Sequence, residues 1–157
     1  MSVSTPTPAR AETGRILVGV DGSPASIEAL RWARRVATAL GAKIDAISAW
    51  QYPPSYSMAM GMVVTSLEAD YQKILNGALD TAFGDDKPIG LQTKVHEGYP
   101  AQVLLTLSAE PNVEMLVVGS RGHGGFMGLL IGSTSAYCAE HAPCPVVVVH
   151  HPQSSAE

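Results

Sequence analysis

Cysteine is scarce in this chain, with only Cys138 and Cys144 among 157 residues. One pair cannot form the disulfide framework of a small secreted domain, so both thiols are expected to be reduced, buried and structural. Long apolar runs are missing too. No stretch approaches the ~18 residues a membrane-spanning helix needs, and Met1 to Gly14, rich in Ser, Thr, Pro and Ala, contains no apolar signal core. Residues 1–14 are therefore expected to be a loose tail, and the chain to be cytoplasmic without a membrane partner. Basic clusters are also absent. Ten Lys and Arg against 14 Asp and Glu give a formal charge of -4, with no Lys/Arg run dense enough to neutralise a row of nucleic-acid phosphates. Nucleic acid is excluded as an expected partner. Finally, there is no Gly-Lys-Ser/Thr phosphate loop, no second acidic residue with an evident magnesium role and no residue to orient an attacking water.

What the chain does contain is a regular alternation of short apolar runs and helical patterns. With 46% apolar residues in 157, it is long enough for one core and short for two ordinary domains, so one domain over 15–150 is expected, followed by a polar tail over 151–157. Arg15 to Val20 reads as a strand ended by Asp21-Gly22. Ser23-Pro24 then supplies an N-cap and first-turn proline for a helix with Ile27, Leu30, Ala33 and Ala37 on one face, closed by Gly41. Lys43 to Trp50 is a second strand in which Ile44, Ala46 and Ser48 alternate with Asp45, Ile47 and Ala49. An irregular segment from Gln51 to Met62, with the character of a flap, precedes a helix from about Thr65 to Phe83. Leu91 to Glu97 is a third strand, Ala101 to Glu110 a helix, Met115 to Gly119 a fourth strand, Ser133 to His141 a helix, and Pro145 to His150 a valine-rich last strand. Five strands alternating with four helices predict an α/β fold with a parallel sheet, order 3-2-1-4-5, and helices on both faces.

The glycine-rich connection after the fourth strand carries most of the functional information. Gly119-Ser120-Arg121-Gly122 is followed by nine residues containing Gly124, Gly125 and Gly128, and then by Gly132-Ser133-Thr134-Ser135. A glycine-rich loop joining a strand to a helix start suits an anion, because its backbone N–H groups can converge without Cβ atoms in the way and the helix adds free donors and a positive dipole end. In the expected strand order the sheet reverses between strands one and four, which sets Asp21 and this loop across one crevice. A carboxylate there is poorly placed for phosphate and well placed to accept hydrogen bonds from a ribose hydroxyl or a base amine. A nucleotide reaching from Asp21 to the loop fits both ends.

Together these features resemble the universal stress protein family, in its single-domain, ATP-binding branch. The resemblance spans Ile16 to Val149 and rests on Val18-Gly19-Val20-Asp21-Gly22-Ser23, on Gly-x2-Gly-x9-Gly-Ser at Gly119, Gly122, Gly132 and Ser133, and on Pro143-Cys144-Pro145 with the four valines after it. It implies that Asp21 contacts the adenosine while Gly19 and Val20 line the pocket, and that Ala49 offers backbone groups to the adenine. Val118, Gly119, Arg121 and Gly122 would wrap the ribose and phosphates, with Arg121 either on a phosphate or in solvent. Gly132, Ser133, Thr134 and Ser135 would complete the phosphate cradle. The implied cofactor is ATP, with or without Mg2+, in a stress-response regulator that is no enzyme or at most a slow ATPase; a phosphotransferase and a cyclic AMP-binding module are the alternatives. The resemblance also implies a homodimer through Val146 to Val149, a strand with no charged residue to protect its edge, which antiparallel pairing between two copies would cover.

Two other constellations resemble chemistry. Cys138-x2-His141-x2-Cys144 supplies metal-type ligands at a spacing that matches no standard zinc knuckle. Val118-Gly119-Ser120-Arg121-Gly122 resembles a nucleophile elbow, but Val118 stands where the first glycine belongs, and His123 is a neighbour in sequence only. Neither is expected to act as a metal or catalytic site.

Overall fold

The computed structural model describes residues 12–52, 64–122 and 131–152, with the side chains of the second helix described from residue 67. The flap expected beyond Tyr52, His123, Gly124, Gly125, Gly128, and most of both expected tails lie outside the described residues. Strands β1 (Arg15–Gly19), β2 (Lys43–Trp50), β3 (Gln92–Glu97), β4 (Val113–Gly119) and β5 (Val146–Val149) alternate with helices α1 (Pro24–Leu40), α2 (Val64–Phe83), α3 (Pro100–Ser108) and α4 (Ser133–His141). The sheet is parallel in the order β3-β2-β1-β4-β5, as the alternation predicts.

Local chemistry accounts for the element ends. Ser23 caps α1 through its Oγ, which accepts from the Ser26 N–H at 3.2 Å, and Pro24 sits at the first helical position where its missing N–H costs nothing. Gly41, at φ 65, closes the helix with its N–H on Ala37 O. At the end of α3 the N–H groups of Ala109 and Glu110 bond to Thr106 O and Leu107 O, so the last turn tightens and the helix stops at Ser108, earlier than its sequence pattern suggests. Asn112, at φ 65, turns the chain into β4, which begins at Val113 rather than Met115.

The two faces of the sheet bury separate clusters. Ile16, Val18, Ile44, Ala46 and Val117 pack under Ala29, Leu30 and Ala33 of α1 and Leu75, Leu79 and Phe83 of α2. Leu17, Ile47, Leu116 and Val118 pack under Ala101, Leu104 and Leu107 of α3 and Cys138 of α4. Coverage on both faces is what makes the central strands continuous apolar runs. It also buries Asp45, which is 1% exposed and sits opposite Leu17 in the β1–β2 register. Its charge is met by Arg15, whose Nε donates to Asp45 Oδ2 at 2.8 Å while the same guanidinium reaches Glu110 at 3.0 Å. The hydrogen bond to Asp45 raises the Arg15 pKa further above its already high ordinary value. Among the described residues no helix is long and apolar enough to cross a membrane.

Both cysteines are free thiols, and burial raises both pKa values, that of fully buried Cys138 to about 11. A group whose folded pKa lies above its unfolded value leaves stability intact below the unfolded pKa, near 9, and drains it as pH rises toward the folded one. Unfolding free energy should therefore fall between about pH 9 and 11, by up to about 1.4 kcal/mol per pH unit from Cys138. Urea midpoints of the parent and Cys138→Ala across that range check this: the alanine variant should lose less stability on going alkaline, despite starting lower from the small cavity it leaves.

Candidate functional site

The carboxyl ends of β1 and β4 lie side by side, and short-range bonds lock the chain that leaves them. The Val20 N–H donates to Ile47 O at 2.8 Å, which keeps the chain extended beside β2 for one residue past β1. Gly22, at φ 81, then turns it toward α1, and Asp21 Oδ1 accepts the Ser23 N–H at 2.9 Å. This local Asx turn fixes one carboxylate oxygen and leaves the side chain exposed to whatever occupies the crevice.

The loop after β4 closes against the same turn. A Cβ on Gly119 would lie 2.7 Å from the carbonyl carbon of Ala25 and 2.8 Å from Ser26 N, so glycine is what lets β4 approach the first turn of α1. The Ser23 hydroxyl donates to Arg121 O at 3.3 Å, which joins the cap of α1 to the loop. A Cβ on Gly122 would overlap Asp21 Oδ2. The Gly132 N–H donates to Ser120 O at 2.5 Å, which brings the start of α4 back onto the end of β4.

Helix α4 begins without a capping side chain. Its N-cap is Gly132, and the first helical bond runs from Ala136 N–H to Gly132 O at 2.9 Å, so the N–H groups of Ser133, Thr134 and Ser135 have no partner among the described residues. The Ser135 hydroxyl is already engaged, donating to Gly119 O, so only its N–H remains for a ligand. Ser133 is exposed and Thr134 half-buried.

These elements enclose a cleft of about 410 Å³. All twelve residues singled out from the sequence line it: Gly19, Val20, Asp21, Ala49, Val118, Gly119, Arg121, Gly122, Gly132, Ser133, Thr134 and Ser135. Seven further lining residues are Ser23 and Ser26 of the α1 start, Ile47, Tyr71 and Ile74 of α2, and Pro100 and Leu104 of α3. Their sequence signals exist but point elsewhere, since Ser23 reads as a cap and the helix residues read as ordinary amphipathic periodicity. The cleft is thus lined by N–H and hydroxyl donors at the α4 start, a carboxylate at the β1 turn, and apolar side chains from β2 (Ile47, Ala49), α2 (Tyr71, Ile74) and α3 (Pro100, Leu104).

Such a lining takes an elongated molecule with an anionic end, hydroxyl donors in the middle and a flat apolar end. Among the described residues no group of three or more His, Cys, Asp or Glu side chains could hold a metal ion. A divalent cation bound with a phosphate chain would take its oxygen ligands from the phosphates and water, which suits Mg2+. Ser120, in the elbow-like sequence, is 4% exposed and does not line the cleft, so it presents no nucleophile there.

Known proteins share this architecture. Residues 12–150 match the Universal stress protein family. A universal stress protein of Mycolicibacterium smegmatis is 32% identical over 145 residues, covering 86% of this chain and 47% of its own length. The chain therefore spans about half the length of that relative. Among solved structures, UspA of Lactobacillus plantarum superposes with a TM-score of 0.73 at 23% identity, covering 89% of this chain and 99% of its own. A universal stress protein solved in complex with cAMP has a TM-score of 0.68 at 26% identity, covering 88% of this chain and 98% of its own. With the family match running from before β1 to past β5, this chain belongs to the universal stress protein family.

Proposed function

We propose that the chain is an adenine-nucleotide-binding regulator of the stress response, acting in the cytoplasm, with ATP as the ligand. The observation that carries this reading is the pairing, across one cleft, of the exposed Asp21 carboxylate with the uncapped start of α4. Asp21 Oδ2 accepts from the ribose hydroxyls, and Gly119, Arg121 and Gly122 wrap the sugar and first phosphate. The N–H groups of Ser133 to Ser135 and the Ser133 and Thr134 hydroxyls take the outer phosphates, while Gly19, Val20 and Ala49 bound the adenosine side. Mg2+ accompanies the phosphates rather than occupying a protein cage.

Binding rather than turnover is the activity proposed. Asp21 is committed to the sugar, and among the described residues no second carboxylate lines the cleft to position a metal against an attacking water. Cyclic AMP is a second reading, favoured by the 26% identical relative solved with it, and its single phosphate would leave part of the α4 donor set unused. Association through β5 belongs to the same proposal. Among the described residues that strand pairs only with β4, and its four valines are half-buried and uncharged along the sheet edge, which a second copy would cover.

Calorimetric titration with ATP, ADP, AMP and cyclic AMP, with and without Mg2+, tests the reading. The expected result is one ATP per chain, with AMP weaker by about tenfold or more because the charge-assisted bonds to the outer phosphates are missing. Phosphate release on the minutes scale should stay at background. Tightest binding of cyclic AMP would replace ATP by the second reading, and no binding of any adenine nucleotide would overturn both.

A further inference from the structure

The α4 donors and the α2 side chains that line the cleft belong to different sides of the sheet order, and this bears on which way a nucleotide would lie. The donor end is built by α4 and the loop after β4, whereas Tyr71 and Ile74 come from α2, which packs on β2 and β3. On the nucleotide reading, the phosphates would lie beyond β4 and the base beyond β2, beside α2.

Helix α2 presents a specific surface there. Leu75, Ala78, Leu79 and Phe83 form its buried stripe against the sheet. Tyr71 is one turn before Leu75 on the same stripe, where the helix overshoots the carboxyl edge of the strands, so its ring borders the cleft instead of the core. It is half-buried. Ile74, three residues further on, is 42% exposed and lines the same cleft, an apolar side chain left open to solvent where a ligand would cover it. Among the described residues lining the cleft, Tyr71 is the one aromatic, and Ile47, Ala49 and Leu104 offer no ring to a base.

We propose that Tyr71 is the base-recognition residue of this site: its ring stacks on the base, Ile74 covers the adjoining edge, and the pair favours a purine over the smaller pyrimidine. This inference rests on the nucleotide reading of the cleft. Base–aromatic stacking supplies enough free energy to change affinity by tenfold or more, and scales with the ring area covered. It needs no hydrogen bond from the tyrosine hydroxyl.

The test compares ATP, CTP and inorganic tripolyphosphate on the parent chain and on Tyr71→Ala, Tyr71→Leu and Tyr71→Phe, with thermal midpoints of the ligand-free proteins as a folding control. Tyr71→Ala should weaken ATP about tenfold or more, reduce the preference for ATP over CTP, and leave tripolyphosphate unchanged. Tyr71→Phe should bind ATP within about twofold of the parent, because the stacking face is retained. Tyr71→Leu keeps apolar volume without a ring and should lose affinity like the alanine variant. ATP binding by Tyr71→Leu or Tyr71→Ala equal to the parent would overturn the stacking role, as would equal losses for ATP and tripolyphosphate. A parent chain that binds tripolyphosphate but not ATP would overturn the nucleotide reading itself, independently of the variants.

Discussion

Gly122→Val should lower ATP affinity by roughly 10- to 100-fold and leave the fold in place. The cause is local. Any Cβ at residue 122 overlaps Asp21 Oδ2, and that carboxylate cannot yield freely because Oδ1 is held on the Ser23 N–H at 2.9 Å. The substitution either swings Asp21 out of its Asx turn or pushes the loop off it, and both outcomes remove the acceptor expected to hold the ribose. A hydrogen bond to a charged partner contributes about 1.5–3 kcal/mol, which sets the scale of the loss. The backbone at Gly122 has no positive φ and the residue is exposed, so valine brings no backbone strain and buries nothing in the core. Its thermal midpoint should stay within a few degrees of the parent. Gly119 makes the contrast. There a Cβ meets the backbone of Ala25 and Ser26, so Gly119→Val should lose stability and binding together. Titration calorimetry and thermal melts on the two variants separate a ligand-facing glycine from a packing one.

The second large effect lies at the opposite end of the sheet. Arg15→Met should destabilise the fold by about 3–5 kcal/mol, because it strands the buried carboxylate of Asp45 without its ion pair. For a chain of this length that corresponds to a fall of about 10 °C in the melting midpoint. The cost belongs to the orphaned charge rather than to the worth of the pair. The double variant Arg15→Met with Asp45→Leu, which removes both charges, should therefore recover most of the loss. Glu110 holds the guanidinium from the solvent side, and Glu110→Gln should cost less than about 1 kcal/mol, as an exposed ion pair does. Denaturant midpoints for the four proteins measure these differences. A double variant as unstable as Arg15→Met alone would contradict the mechanism.

Most of the architecture was legible because strand and helix punctuation here is strong. Asp21-Gly22, Ser23-Pro24 and Gly41 mark turns, caps and stops whose backbone requirements few other residues meet, and the parallel order follows from the alternation they define. The glycines of the cleft were legible for the same reason, since at a strand-to-helix connection they carry their geometric purpose in their identity. Asp45 was not. Alternation along β2 cannot show that both faces are covered, nor that Arg15 on the neighbouring strand neutralises the buried charge. Tyr71 and Ile74 were also silent, because an amphipathic helix reads the same whether its first turns meet a core or overhang a cleft. The Ser135 hydroxyl shows a finer limit. Its residue type suggests a phosphate donor, while in the fold it braces Gly119 O and helps hold the loop that a phosphate would meet.

The most direct test of the proposed cleft is an amide NMR titration of the 15N-labelled chain with ATP. The predicted result is a saturable set of shifts concentrated in the N–H groups of Gly119, Arg121, Gly122, Ser133, Thr134 and Ser135 and in the β1 turn from Val20 to Ser23. Shifts absent at millimolar ATP, or confined to other parts of the chain, would contradict a nucleotide site between Asp21 and the start of α4.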